Sequence, residues 1–73
     1  IETLDLPDYI AYRNGDEIVV RNIPESATVS AYSLTGTVLA REKVSDGTFR
    51  ISTVQPCIIR IVSEKKTSVF KML

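Results

Sequence analysis

The chain has 73 residues, nine basic and nine acidic side chains, no histidine and one cysteine, Cys57. That length accommodates a single small apolar core, which excludes a two-domain arrangement, and zero formal charge gives no net field for gathering nucleic acid or an anionic membrane. One cysteine and no histidine leave neither an internal disulfide nor a cysteine–histidine metal site. No stretch reaches the ~20 apolar residues of a membrane helix, and the start at Ile1 rather than methionine reads as a mature product or a piece of something longer.

Residues 1–8 mix apolar and acidic side chains, and Pro7 lacks the amide that a sheet interior requires, so the segment reads as a lead-in or an edge strand. Residues 9–73 read as the domain proper. A weakly alternating strand over 9–13 runs into Asn14-Gly15, the pair that most readily supplies the positive φ angles of a type I′ hairpin turn. Residues 17–21 follow as a strand, with Ile18 and Val20 on one face and Val19 on the other. Pro24 ends it.

Residues 28–42 form the hairpin around which the rest is arranged. Val29 and Ala31 alternate with hydroxyl residues, Ser33-Leu34-Thr35-Gly36 makes a tight turn, and Val38 and Ala40 resume the period. Asp46-Gly47 signals another turn before the strand 48–52, where Phe49 and Ile51 share a face and Phe49 anchors the core. After a connection over 53–56, residues 57–62 are the most apolar run, interrupted by Arg60, as in a central strand; Cys57 belongs there as a small buried hydrophobe. A polar loop, Ser63-Glu64-Lys65-Lys66, leads to a last strand from Thr67, in which Val69 and Phe70 face opposite ways.

Seven short strands without helical periodicity predict an all-β fold, an immunoglobulin-like antiparallel sandwich of about seven strands. A small barrel of the oligonucleotide-binding type is the alternative; it calls for a basic groove with grouped aromatics, whereas Tyr9, Tyr12, Tyr32, Phe49 and Phe70 are scattered.

Catalytic chemistry is disfavoured residue by residue. Without histidine there is no Ser-His-Asp or Cys-His arrangement, and Ser33 or Ser68 has no evident base. Asp5, Asp8, Asp16 and Glu17 sit beside turns, where carboxylates are ordinarily solvated, and they lack the register of a calcium loop. Gly15, Gly36 and Gly47 each stand alone in a turn and make no phosphate loop. The expectation is a non-catalytic domain with no cofactor and no metal. Lys65-Lys66, with Arg60 and Lys71 on the flanking strands, is the one basic cluster in the reading, and reads as a solvated hairpin tip.

These segments together carry a resemblance. Val29-Ser30-Ala31-Tyr32-Ser33-Leu34-Thr35-Gly36, Val38-Leu39, Asp46-Gly47 before Phe49, Ile58-Ile59-Arg60-Ile61, Lys65-Lys66 and Ser68-Val69-Phe70-Lys71 follow one another over residues 9–73. The pattern resembles the C-terminal sorting domain of the type IX secretion system of Bacteroidota. Thr37, Gln55 and Cys57 depart from it: the family commonly has a basic residue just after the turn glycine, and glycine and tyrosine opening the penultimate strand. The resemblance implies a seven-stranded immunoglobulin-like sandwich at the end of a cargo protein, N-terminal to this domain. It further implies recognition by the outer-membrane secretion machinery, and passage through the periplasm to the cell surface or medium. Recognition is attributed to the last strands, here Lys65, Lys66, Ser68, Val69, Phe70 and Lys71. The alternative is a structural or adhesive module of a bacterial surface protein that sorts nothing.

Overall fold

Period-two alternation builds the chain into strands joined by short turns. In the computed structural model the described residues are 2–5, as backbone, and 9–73. They form β1 (Glu2–Asp5), β2 (Ile10–Asn14), β3 (Glu17–Arg21), β4 (Thr28–Ser33), β5 (Val38–Lys43), β6 (Thr48–Ser52), β7 (Cys57–Val62) and β8 (Thr67–Met72). The seven strands expected beyond residue 8 all form. Part of the lead-in is itself a strand, β1, whereas Pro7 and Asp8 lie outside the described residues.

Two antiparallel sheets result, in the orders β1-β2-β3-β6 and β5-β4-β7-β8. Each sheet has two edges, so the architecture is an open sandwich and not a closed barrel. β2, β3 and β6 stand where the A, B and E strands of an immunoglobulin sandwich stand, and β4, β7 and β8 take the places of C, F and G. β5 extends the β4 edge, and β1 adds a further strand beside β2. The hairpin of residues 28–42 is therefore central only in its first half: β4 lies between β5 and β7, but β5 is an edge, and its register with β4 shifts at a bulge that leaves Leu39 opposite the Ala31–Tyr32 step.

The inner faces meet in one apolar core. Ile18, Val20 and Phe49 from the first sheet and Val29, Ile59 and Ile61 from the second are all buried there, and Cys57 joins them. Phe49 stands opposite Val20 and Ile59 opposite Ala31, so alternation and register place the same residues inside. Each such large side chain contributes about 1.5–3 kcal/mol relative to an exposed position. Val19 faces outward, yet is buried between its cross-strand neighbours Tyr12 and Arg50.

Hydrogen bonds close both ends. At one end the two crossovers between sheets pair with each other: the Ile23 amide donates to the Gly47 carbonyl at 3.1 Å, the Ser26 amide to Val44 at 3.0 Å and the Val44 amide to Ala27 at 2.9 Å. The turn Pro24-Glu25-Ser26-Ala27 is closed by the Ala27 amide on the Pro24 carbonyl, with Ser26 at φ +67°, the third-position geometry of a type II turn. At the other end Arg13 spreads its guanidinium over three carbonyls, those of Thr53, Gln55 and Leu73.

The first hairpin differs from the sequence reading by one residue. Asn14 pairs with Glu17, so Gly15 and Asp16 are the loop residues, and of these Gly15 alone has positive φ, +65°. That is the φ pattern of a type II′ turn, with glycine first, rather than of type I′ over Asn14-Gly15. The turn at Ser33-Leu34-Thr35-Gly36 forms as expected, with the Gly36 amide donating to the Ser33 carbonyl and Gly36 at φ +95°.

Candidate functional site

The terminal hairpin β7–β8 distributes the six expected recognition residues over three places. Lys65 and Lys66 are exposed at the tip, where the Ser63 amide donates to the Lys66 carbonyl at 2.9 Å and the Lys66 amide donates to the Ser63 hydroxyl at 3.3 Å. The serine thus fixes the loop through both backbone and side chain. A groove beside it is lined by Pro24, Glu25 and residues 63–66. Lys66 places its ammonium 5.9 Å from the centre of the Tyr9 ring, a cation–π distance.

Ser68 and Phe70 point inward. Phe70 stacks on buried Tyr9 with ring centroids 6.4 Å apart, and the Ser68 hydroxyl lies 3.5 Å from that of Tyr9. One tyrosine just before β2 thereby ties the last strand to the opposite sheet. Phe70 opposes Ile59 across the pair and packs on the core. Val69 and Lys71 point outward, and Val69 is 61% exposed. Among the described residues no strand pairs with β8 on its outer side, so there it is an edge of the sheet.

The basic cluster expected around Lys65 and Lys66 divides between the tip and the outer sheet face. Arg60 on β7 and Lys71 on β8 join Arg41 and Lys43 of β5 on the outer face of the β5-β4-β7-β8 sheet. Ser30 and Tyr32, at the outward positions of β4, lie between them. Ser30 registers with Arg41 on one side and Arg60 on the other. Arg41 donates from Nε to the Ser30 hydroxyl at 3.1 Å and from Nη2 to the Tyr32 hydroxyl at 3.3 Å. Arg41 first, then Ser30 and Arg60, hold the Tyr32 phenol below its ordinary pKa. This centre was not singled out in the sequence; its one signal is the hydroxyl residues alternating with Val29 and Ala31.

The acidic candidates do not form a site among the described residues. Glu17 accepts from Arg50 at 3.3 Å on the outer face of the other sheet. Asp16 sits in the first hairpin loop, where its carbonyl accepts the Thr53 amide at 2.7 Å. The side chains of Asp5 and Asp8 lie outside the described residues. Gly15, Gly36 and Gly47 occupy turns, each at positive φ. Cys57 is buried, and burial pushes its thiol pKa up. No protein-family model matches this chain, and neither a curated protein nor a solved structure does.

Proposed function

We propose that this chain is a non-catalytic sorting domain of the type IX secretion kind, borne at the C-terminal end of a cargo protein and read by outer-membrane machinery. One observation carries the reading: the segments that resemble the sorting pattern end in a hairpin whose last strand, β8, is a sheet edge among the described residues, with Val69 exposed beside the Lys65–Lys66 tip. An edge strand offers unpaired backbone groups for capture by strand addition, while alternate side chains give selectivity. Ser68 and Phe70 would act indirectly, by holding β8 against Tyr9. The cargo would pass through the periplasm to the cell surface or medium.

The test fuses residues 9–73 to a periplasm-directed fluorescent reporter in a bacterium that has the machinery. Delivery beyond the outer membrane, lost on deletion of residues 67–73 and reduced by Lys65→Glu with Lys66→Glu, is the expected result. Because Lys66 also contacts the ring of buried Tyr9, the melting temperature of the tip variant is measured beside its delivery, which separates recognition from folding. A folded, intact fusion retained in the periplasm would refute the proposal. It would favour the second reading, a structural or adhesive module, for which the departures at Thr37, Gln55 and Cys57 speak.

A further inference from the structure

The outer face of the β5-β4-β7-β8 sheet is chemically one-sided. Its four strands contain one acidic residue, Glu42, which registers with core-facing Val29 and so sits on the inner side. Arg41, Lys43, Arg60 and Lys71 occupy outward positions, four of the nine cations of a chain with no net charge. The single ion pair among the described residues, Arg50–Glu17, lies on the other sheet, so no described carboxylate answers Arg41 or Arg60.

The cations form a line. Lys43 stands in the row of Thr28, Arg41 and Arg60 in the row of Ser30, and Lys71 in the row of Tyr32 and Ile58. With strands ~4.8 Å apart and ~3.4 Å of rise per residue, this diagonal from β5 to β8 is about 20 Å long. It is flanked by exposed Val62 and Val69 on one side and by Tyr32 and half-buried Ile58 on the other. An extended peptide covers that length in about six residues and presents every second side chain to the surface.

We infer that this face binds an acidic, extended segment of a partner protein, with Arg41 and Arg60 receiving its carboxylates and Val62 and Val69 its apolar side chains. Charge complementarity selects the acidic character, and side-chain chemistry selects a protein. A single-stranded nucleic acid needs several stacking aromatics, and the face has only Tyr32, whose hydroxyl is held by Arg41. A bilayer surface favours Trp, Phe and Leu on an amphipathic element, whereas the aliphatics beside this line are mostly short and β-branched. Arginine and tyrosine are both enriched in protein interfaces. Hydrogen bonds, from Arg41 first and then Ser30 and Arg60, lower the Tyr32 pKa, which agrees with the two guanidiniums gathering at its hydroxyl. The inference shares Val69 and Lys71 with the sorting proposal but does not rest on it, because Arg41 and Arg60 lie on the sheet face away from the hairpin tip and edge.

The test measures fluorescence anisotropy of a dye-labelled eight-residue peptide alternating glutamate with valine, titrated with residues 1–73 at low salt. Saturable binding is expected, at least tenfold weaker for the glutamine-for-glutamate peptide. Arg41→Gln with Arg60→Gln should weaken it at least tenfold while the melting temperature stays near that of the parent, and Arg50→Gln, on the other sheet, should leave it unchanged. Absence of saturable binding, equal affinity of the double variant, or tighter association with phosphatidylglycerol vesicles than with the peptide would each overturn the inference.

Discussion

Arg13 is the side chain whose removal should tell most about how the last strand is held. Its guanidinium donates to the carbonyls of Thr53 and Gln55, in the β6–β7 connection, and to that of Leu73, just past β8. Hydrogen bonds from a charged donor contribute about 1.5–3 kcal/mol where water is excluded, and well under that where it is not. Of the three, only the bond to Thr53 is partly buried, while those to Leu73 and Gln55 are exposed. Arg13→Ala should therefore cost about 2–3 kcal/mol, much of it from the Thr53 bond. Against the roughly 4–11 kcal/mol implied for this length by about 0.05–0.15 kcal/mol per residue, that is a large share. Arg13→Lys keeps the charge but cannot fork to three acceptors, so it should recover less than half of the loss. Urea unfolding followed by circular dichroism measures both variants, and hydrogen exchange at the end of β8 should quicken in each. A loss below about 0.5 kcal/mol for alanine, or a lysine variant as stable as the parent, would refute the reasoning.

Three further outcomes follow from the fold. Phe49→Ala should cost about 3–5 kcal/mol and Ile59→Ala about 2–5 kcal/mol, because both are buried in the shared core; a melting temperature unchanged by either would contradict their placement. Ser26→Gly should stabilise by about 1 kcal/mol, since a non-glycine residue at φ +67° is strained, and denaturant midpoints will show the sign. Cys57 should resist a thiol reagent until the protein unfolds. Its folded pKa is raised, chiefly by burial, so the folded thiol stays protonated where the unfolded one ionises. Stability should then fall as pH rises through 9.0, the ordinary thiol value, and Cys57→Val should lessen that fall; thermal melts across this range decide it.

Strand positions were legible because a half-buried strand writes its period directly into the chain: Ile18 and Val20 inward, Phe49 between the polar neighbours Thr48 and Arg50. Which strands would neighbour one another was less so, since the pairings β3–β6 and β4–β7 join segments far apart in sequence. That distance explains the missed cationic face. Arg41 and Arg60 become neighbours of Ser30 only because β4 lies between β5 and β7, and no local pattern announces it. Asn14-Gly15 puts the turn one residue early because dipeptide chemistry identifies a turn, whereas the flanking pair Asn14–Glu17 decides its register. Arg13 gave no signal, its acceptors being backbone carbonyls forty or more positions away. The tip at 63–66 was visible in sequence, but the role of Tyr9 in fixing Ser68 and Phe70 was not.

Under the sorting proposal the folded sandwich, through its terminal hairpin, directs attached cargo across the outer membrane. The most direct measurement is the fraction of a reporter fused to residues 9–73 that reaches the cell surface or medium, compared with the same fusion carrying Lys65→Glu, Lys66→Glu and Val69→Glu. All three positions are exposed, and a thermal melt of the variant checks that loss of the Lys66–Tyr9 contact leaves it folded. Delivery of the parent fusion together with periplasmic retention of the folded variant is the predicted result. Equal delivery of both would contradict reading through the hairpin, and delivery of neither would contradict the sorting function itself.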